Sequence, residues 1–99
     1  MVWHQLDRIR ELVLAGDYDL TRHAVDEMAE DALTVSDVEH AILTGEVTKA
    51  QPNDPRGPKY IIVGIGTDQR TEVGVVGRLT ETGIFLIITV YEVSEQEEY

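Results

Sequence analysis

The chain has 99 residues and no cysteine, so one domain with one core is expected, and disulfides and thiolate-bound metals are excluded. Its 19 acidic residues outnumber 8 basic ones, and the resulting net charge of −11 repels nucleic-acid phosphates at long range. No apolar run approaches the about 20 residues of a membrane span, which predicts a cytoplasmic protein that makes no membrane contact.

The first part of the chain has the apolar spacing of amphipathic helices. Apolar residues recur every three or four positions over 4–15, and Gly16 follows them, which predicts a first helix that ends at this glycine. The short segment 18–21 is extended or turn-like. Thr21 is a candidate N-cap for a second helix over 22–32.

A third helix begins near Thr34. Thr34 and Asp37 have the spacing of a capping box, and Ser36 and Glu39 offer the same arrangement in another register. Gly45 ends this helix. The helical half of the predicted domain is therefore 4–45.

After Gly45 the apolar period changes from 3.6 to 2, which indicates strands. A short strand is predicted over 46–50 and a Pro- and Gly-rich loop over 51–58. Three longer strands are predicted over 59–66, 70–79 and 83–93. The last three are joined by hairpin-length turns and form an antiparallel meander. The predicted fold class is α+β, with three N-terminal helices packed on one face of a three- to four-stranded antiparallel sheet. The sequence predicts a single domain over 1–99, with a sheet half over 46–93 and an acidic tail over 94–99.

The run from Gly83 to Glu92 is apolar on both sides of a strand, as expected in the middle of a sheet. One set of alternating residues is predicted to lie under the helices: Ile84, Leu86, Ile88 and Val90. The other set is predicted to form the floor of a site: Phe85, Ile87, Thr89 and Tyr91. Thr89 and Tyr91 would place two hydroxyl groups on that floor.

Histidines are few and lie in separate predicted helices. His4, His23 and His40 lack i,i+4 partners, so no metal site and no cofactor is predicted. His23 falls in the first turn of its helix, where the helix dipole favours a neutral imidazole that could act as a base or an acid. The alternative is that His23 only caps or packs the start of the helix.

Several cations and hydroxyl groups are candidates for binding a phosphate. Arg56 and Lys59 flank the Pro- and Gly-rich loop, and Arg78 could approach them on the sheet. Tyr60 begins one strand as Tyr91 ends another, so that both could project from one rim, and Thr89 lies near Tyr91. The alternative is that the cations form ordinary surface pairs and that the tyrosines pack in the core.

Four segments, in this order and spacing, resemble a family of small prokaryotic proteins that is a domain of unknown function. They are Leu20–Ala24, which enters a helix with Met28, Val35–Val47, Gly57–Tyr60 and Ile87–Glu92. The family is regarded as a relative of the RelE, BrnT and MqsR type ribonuclease toxins of toxin–antitoxin systems.

The resemblance implies a metal-independent endoribonuclease that cleaves mRNA on an open sheet face and is neutralised by an antitoxin. Such chemistry needs a base, an acid and a cation at the phosphate. By motif position, His23 would be the general acid or base, Arg78 and Lys59 would clamp the phosphate, and Tyr91 would orient a group or donate a proton.

A second function is compatible with the same pattern. Relatives carry an Arg and a Gly after Met28, but residues 29–33 of this chain include neither. Relatives often carry a histidine in the central strand, where this chain has Glu72–Gly74. A chain that keeps the fold but loses these cations would be a non-enzymatic protein-interaction or regulatory module. Its expected partners are an antitoxin or another small protein, RNA, or a second copy of the chain.

Overall fold

The chain forms three helices and five strands in the computed structural model. The structure describes residues 2–93, with side chains from residue 5 onward. In chain order the elements are α1 (Val2–Ala15), β1 (Tyr18–Leu20), α2 (Arg22–Glu30), α3 (Val35–Thr44), β2 (Glu46–Gln51), β3 (Lys59–Ile65), β4 (Glu72–Leu79) and β5 (Phe85–Glu92). The predicted acidic tail over 94–99 lies outside the described residues. No helix within residues 2–93 is long and apolar enough to cross a membrane.

The sheet is mixed and has five strands, in the order β1-β5-β4-β3-β2, so the predicted antiparallel sheet of three to four strands was wrong. The segment around Tyr18 is a strand that pairs in parallel with β5, beside Phe85. Because β1 lies between α1 and α2, the helices also do not precede the sheet as one block. The antiparallel meander of β3, β4 and β5 is confirmed, and β2 extends it.

The helix ends follow the local signals of the sequence. Gly16 has a φ of +80°, its N–H donates to the carbonyl oxygen of Val13 at 3.1 Å, and the N–H of Asp17 donates to Leu12 at 2.8 Å. This pair of bonds is a Schellman motif, which satisfies carbonyl groups at the end of α1. At the start of α2, the hydroxyl of Thr21 accepts from the N–H of Ala24 at 3.1 Å, as predicted.

Asp37 connects the start of α3 to the β3–β4 turn. It forms the predicted capping box with Thr34, and its Oδ1 accepts from the N–H of Thr67 at 2.9 Å and from the hydroxyl of Thr67 at 2.6 Å. The side-chain bond from Thr67 is the main cause that lowers the pKa of Asp37 to about 2, and the backbone bond from Thr34 is the next. The alternative register with Ser36 as the cap is not the one adopted.

We expect the contribution of Asp37 to stability to depend on pH. Its folded-state pKa lies below the ordinary value of 3.8, so the ionised carboxylate stabilises the fold above about pH 4, and this stabilisation is lost as the pH falls towards 2. After allowance for solvent screening, the contribution is about 1 to 2 kcal/mol. Urea denaturation of wild type and Asp37→Asn should differ by this amount at pH 6, and the difference should shrink towards pH 2.5. A difference independent of pH, or equal to that of the exposed Asp26→Asn control, would contradict this assignment.

All three helices pack on one face of the sheet and share one core with it. The fully buried residues with the largest side chains are Phe85, Ile9, Ile42, Ile62, Ile87, Val38, Val73, Val75 and Val90. Along β3 the exposure alternates, with Tyr60 and Ile62 buried under the helices and Ile61 and Val63 partly exposed on the other side.

The predicted faces of the last strand were wrong for the residues before Thr89 and correct from Thr89 to Tyr91. Phe85, Ile87 and Val90 are fully buried under the helices, whereas Leu86 lies on the other face. The cause is a β-bulge: the register passes from Gly77 beside Ile87 to Val76 beside Thr89, which leaves Ile88 as an extra residue. The extra residue reverses the alternation, so Val90 joins the odd-numbered residues in the core.

Candidate functional site

The sheet face turned away from the helices, here called the open face, is not covered by any described helix. The strand register arranges its side chains in rows that run across the sheet. The first row is Asp19, Leu86, Arg78, Lys59 and Gln51; the second is Thr89, Val76, Ile61 and Lys49; the third is Tyr91, Gly74, Val63 and Glu46; the fourth is Glu72 and Ile65.

The centre of the open face is aliphatic. Ile61, Val63, Val76 and Leu86 are each partly exposed, and Ile65 at one end is 37% exposed. A sheet face that met only water would carry polar side chains at most of these positions, because antiparallel strands alternate apolar and polar residues when one side is solvated. The aliphatic centre is therefore a candidate contact surface.

On strands β2 to β4 the lysines and glutamates of the open face are separated along the strands, whereas Asp19 on the edge strand β1 adds one exposed carboxylate to the first row. Lys49 and Lys59 lie in the first two rows, and Glu46 and Glu72 lie in the last two. None of these four side chains has an ion-pair partner within residues 5–93. Lys49 and Lys59 are also the only lysines of the chain. The open face thus has a basic end and an acidic end, with the aliphatic centre between them.

Sequence reasoning missed Lys49 because a bulge changes its side of the strand. The register shifts between Val47 and Lys49, so that Val47 and Ala50 both pack against the core and Lys49 lies beside Ile61 on the open face. In an unbroken strand, Val47 and Lys49 would share one side. The available signal was the three-residue spacing of the two apolar residues, which marks a bulge in a short strand.

Arg78 holds the loop before β3 in place. Only 8% of Arg78 is exposed, and its Nη1 donates to Oδ1 of Asp54 at 2.8 Å and to the carbonyl oxygen of Gly57 at 3.1 Å. The backbone N–H of Arg56, and after it the guanidinium of Arg78, keep the pKa of Asp54 below its ordinary value. The side chain of Arg56 is 76% exposed beside this pair. The charge of Arg78 is therefore largely compensated within the chain.

His23 lies at the outer edge of β5. Its side chain is 66% exposed, and Nε2 is 3.2 Å from Oε2 of Glu27. The other oxygen of Glu27 accepts from the N–H of Val90 at 3.0 Å, and Asp31 accepts from the N–H of Glu92 at 3.2 Å. Because β1 pairs with β5 only as far as Ile87, the carboxylates of Glu27 in α2 and of its C-cap Asp31 accept hydrogen bonds from the backbone N–H groups of β5 beyond that point.

Tyr91 points in the opposite direction across the sheet. Its ring lies over Gly74 of the neighbouring strand β4, where an added Cβ would be 2.3 Å from Cζ of Tyr91. Burial of this ring raises the pKa of Tyr91 above its ordinary value. The hydroxyl of Tyr91 and the imidazole of His23 consequently lie on opposite sides of β5.

The remaining predicted residues divide between the open face and the core. Lys59, Arg78, Thr89 and Tyr91 share the open face, and Arg56 lies in the adjacent loop. Tyr60 is only 2% exposed, lies on the helix side, and has a pKa raised by burial.

The predicted site residues are also spread along the sheet. Tyr91 lies beside Gly74, and Gly74 and Arg78 are four residues apart in β4, or about 13 Å. The structure therefore does not gather all seven predicted site residues around one point.

Metal binding has no support in residues 5–93, which contain no group of three His, Asp or Glu side chains that could hold an ion. Nδ1 of His40 lies 2.6 Å from the carbonyl oxygen of Ile65, so this histidine connects α3 to the end of β3. The side chain of His4 lies outside the described residues.

Comparison with known proteins assigns a family without a function. No curated protein and no solved structure matches the chain significantly. The model of one family, described as a domain of unknown function, matches residues 20–92. This range runs from the end of β1 to the end of β5 and includes nearly all of the open face. The chain therefore belongs to the DUF4258 family of domains of unknown function.

Proposed function

We propose that this chain is a non-enzymatic protein-interaction module whose binding surface is the open face. The observation that carries the proposal is the pattern of that face: a partly exposed aliphatic centre, with lysines at one end and glutamates at the other that have no ion-pair partner among residues 5–93. A protein partner with an apolar centre and the opposite order of charges would cover this pattern. RNA, which carries negative charge along its whole length, would meet Glu46 and Glu72 unfavourably.

The placement of the candidate catalytic groups favours binding over RNA cleavage. Metal-independent cleavage needs a base, an acid and a cation within hydrogen-bond reach of one phosphate. Here His23 lies beyond the edge of β5, Tyr91 extends the other way, and Arg78 is about 13 Å farther along the sheet and bonded to Asp54.

A metal-independent endoribonuclease of the RelE, BrnT or MqsR toxin type is the second candidate, with an antitoxin as its protein partner. One observation favours it: Lys49 and Lys59 lie without ion-pair partners in the described residues, on the same face as Thr89 and Tyr91. Two cations and two hydroxyl groups on one face are chemically suited to contact successive parts of a ribose-phosphate backbone.

An RNA-cleavage assay in EDTA separates the two candidates. We expect wild type, His23→Ala and the double variant Lys49→Ala, Lys59→Ala to leave single-stranded RNA equally intact, and induced expression of the wild type in bacteria not to arrest growth. EDTA removes contaminating metal-dependent nucleases from the comparison. Cleavage by the wild type that falls at least tenfold in both variants, together with growth arrest, would contradict the proposed function and support the toxin.

A further inference from the structure

We propose that the partner of the open face is a second copy of this chain, bound face to face about a two-fold axis. This inference rests on the proposed function, because it names the partner of the same surface. It follows from the order of charges on the open face, since a two-fold interface brings the same patch of both copies together and so requires a self-complementary pattern.

The geometry defines where the axis lies. The axis lies in the interface, runs perpendicular to the strands and passes between the second and third rows. Rotation about it reverses the strand direction in the second copy, while each strand lies over the same strand of the other copy. Lys49 of the second row then faces Glu46 in the third row of the other copy. Lys59 of the first row then lies over Ile65 in the fourth row of the other copy, and Glu72 of that row is on the neighbouring strand, about 4.8 Å to the side. Each copy contributes both signs, so each of these two lysines and two glutamates gains a neighbour of opposite charge in the other copy.

The same rotation brings the aliphatic centres together. Val76 and Ile61 of one copy lie over the third row of the other, which contains Val63 and the ring of Tyr91 above Gly74. Two sheets in such contact form a sandwich about 10 Å thick, with the inner side chains interdigitating. The partly exposed side chains of the open face then become the core between the two sheets.

The size of the open face is sufficient for a weak dimer. Strands β2 to β5 lie about 4.8 Å apart and run for about seven residues, so they span roughly 19 by 23 Å. This corresponds to roughly 440 Å² of projected area on each copy, which is below the roughly 800 Å² per partner of a standard interface and in the range of weak, transient complexes. At 150 mM salt the Debye length is about 8 Å, so the negative charges of the outer surfaces are largely screened.

Sedimentation equilibrium of charge-exchanged variants tests this dimer. One variant carries Lys49→Glu and Lys59→Glu, and the other carries Glu46→Lys and Glu72→Lys. Each alone places like charges opposite one another, so its dimer should dissociate with a Kd at least tenfold above that of the wild type. An equimolar mixture of the two variants restores opposite charges and should form a heterodimer of about wild-type affinity.

Matched controls separate the local charge pattern from net charge. Arg8→Glu with Arg22→Glu, and Asp26→Lys with Glu30→Lys, make the same changes in net charge at exposed helix positions. Both should dimerise like the wild type. A wild type that is monomeric at 200 µM, or a mixture of folded variants that stays monomeric, would overturn the dimer. That result would still leave the choice between an interaction module and a nuclease to the RNA-cleavage assay, which does not depend on the identity of the partner.

Discussion

Replacement of Gly64 by alanine is expected to lower the free energy of unfolding by about 3 kcal/mol or more, which is a large part of the roughly 5 to 15 kcal/mol of a domain this size. Gly64 lies on the helix side of β3, where α3 crosses the sheet. An added Cβ would be 1.9 Å from the carbonyl oxygen of Ala41 and 2.7 Å from its carbonyl carbon. These are backbone atoms, so no side-chain rotation can relieve the overlap.

Relief of this overlap would require α3 to move away from the sheet. The helix carries three core residues, Val38, Ala41 and Ile42, each no more than 1% exposed. A shift of the helix would loosen all three contacts together, because protein cores are close-packed and tolerate little displacement.

Urea denaturation followed by circular dichroism measures this cost against a nearby control. In Gly66→Ala the added Cβ would meet first the Oδ1 of Asp37 at 3.2 Å, which is a side-chain atom that can adjust. We expect the control to lose less than about 1 kcal/mol. If Gly64→Ala and Gly66→Ala unfold at the same urea concentration, the close packing of α3 on β3 is wrong.

The parts of the fold that the sequence predicted correctly depend on local signals. The Schellman motif at Gly16, the cap at Thr21 and the capping box of Thr34 with Asp37 each involve residues at most five positions apart. The antiparallel meander was predictable for the same reason, because short turns leave few ways to connect its strands.

The parts that were wrong depend on contacts between distant residues. The parallel pairing of Tyr18 with Phe85 gives a three-residue strand, which is too short to show a period of its own. The bulge at Ile88 is set by the neighbouring strand, and it places Phe85 and Ile87 on the side opposite to the predicted one. A strand that is apolar on both sides contains no information about which side the helices cover.

The candidate site shows the same division. Alternation along the strands was sufficient to place Thr89 and Tyr91 on one face, whereas the position of Lys49 depended on a second bulge. The bond from Arg78 to Asp54 spans 24 positions, and the bond from Val90 to Glu27 spans 63. Neither bond could be inferred from spacing. The first bond connects Arg78 to the loop before β3, and the second connects β5 to Glu27, the residue that also contacts His23.

The strongest effect on binding is expected from Val76→Glu. Val76 lies in the second row of the open face, on the central strand β4, between Ile61 and Thr89. In a face-to-face complex its side chain is surrounded by aliphatic groups of both copies. An unpaired carboxylate there loses its hydration without gaining a partner, and two such groups approach each other across the axis. We expect association to weaken at least 100-fold, while the exposed edge of the side chain lets the monomer fold.

A control for this variant is Val25→Glu, which makes the same change at a helix position that is 48% exposed. Circular dichroism should show that both variants keep the wild-type fold. The most direct test of the open face as a protein-binding surface is therefore the sedimentation equilibrium of three proteins at 1 to 200 µM. We predict that wild type and Val25→Glu dimerise and that Val76→Glu remains monomeric. If the wild type dimerises and Val76→Glu dimerises equally well, the assignment of binding to the open face is contradicted.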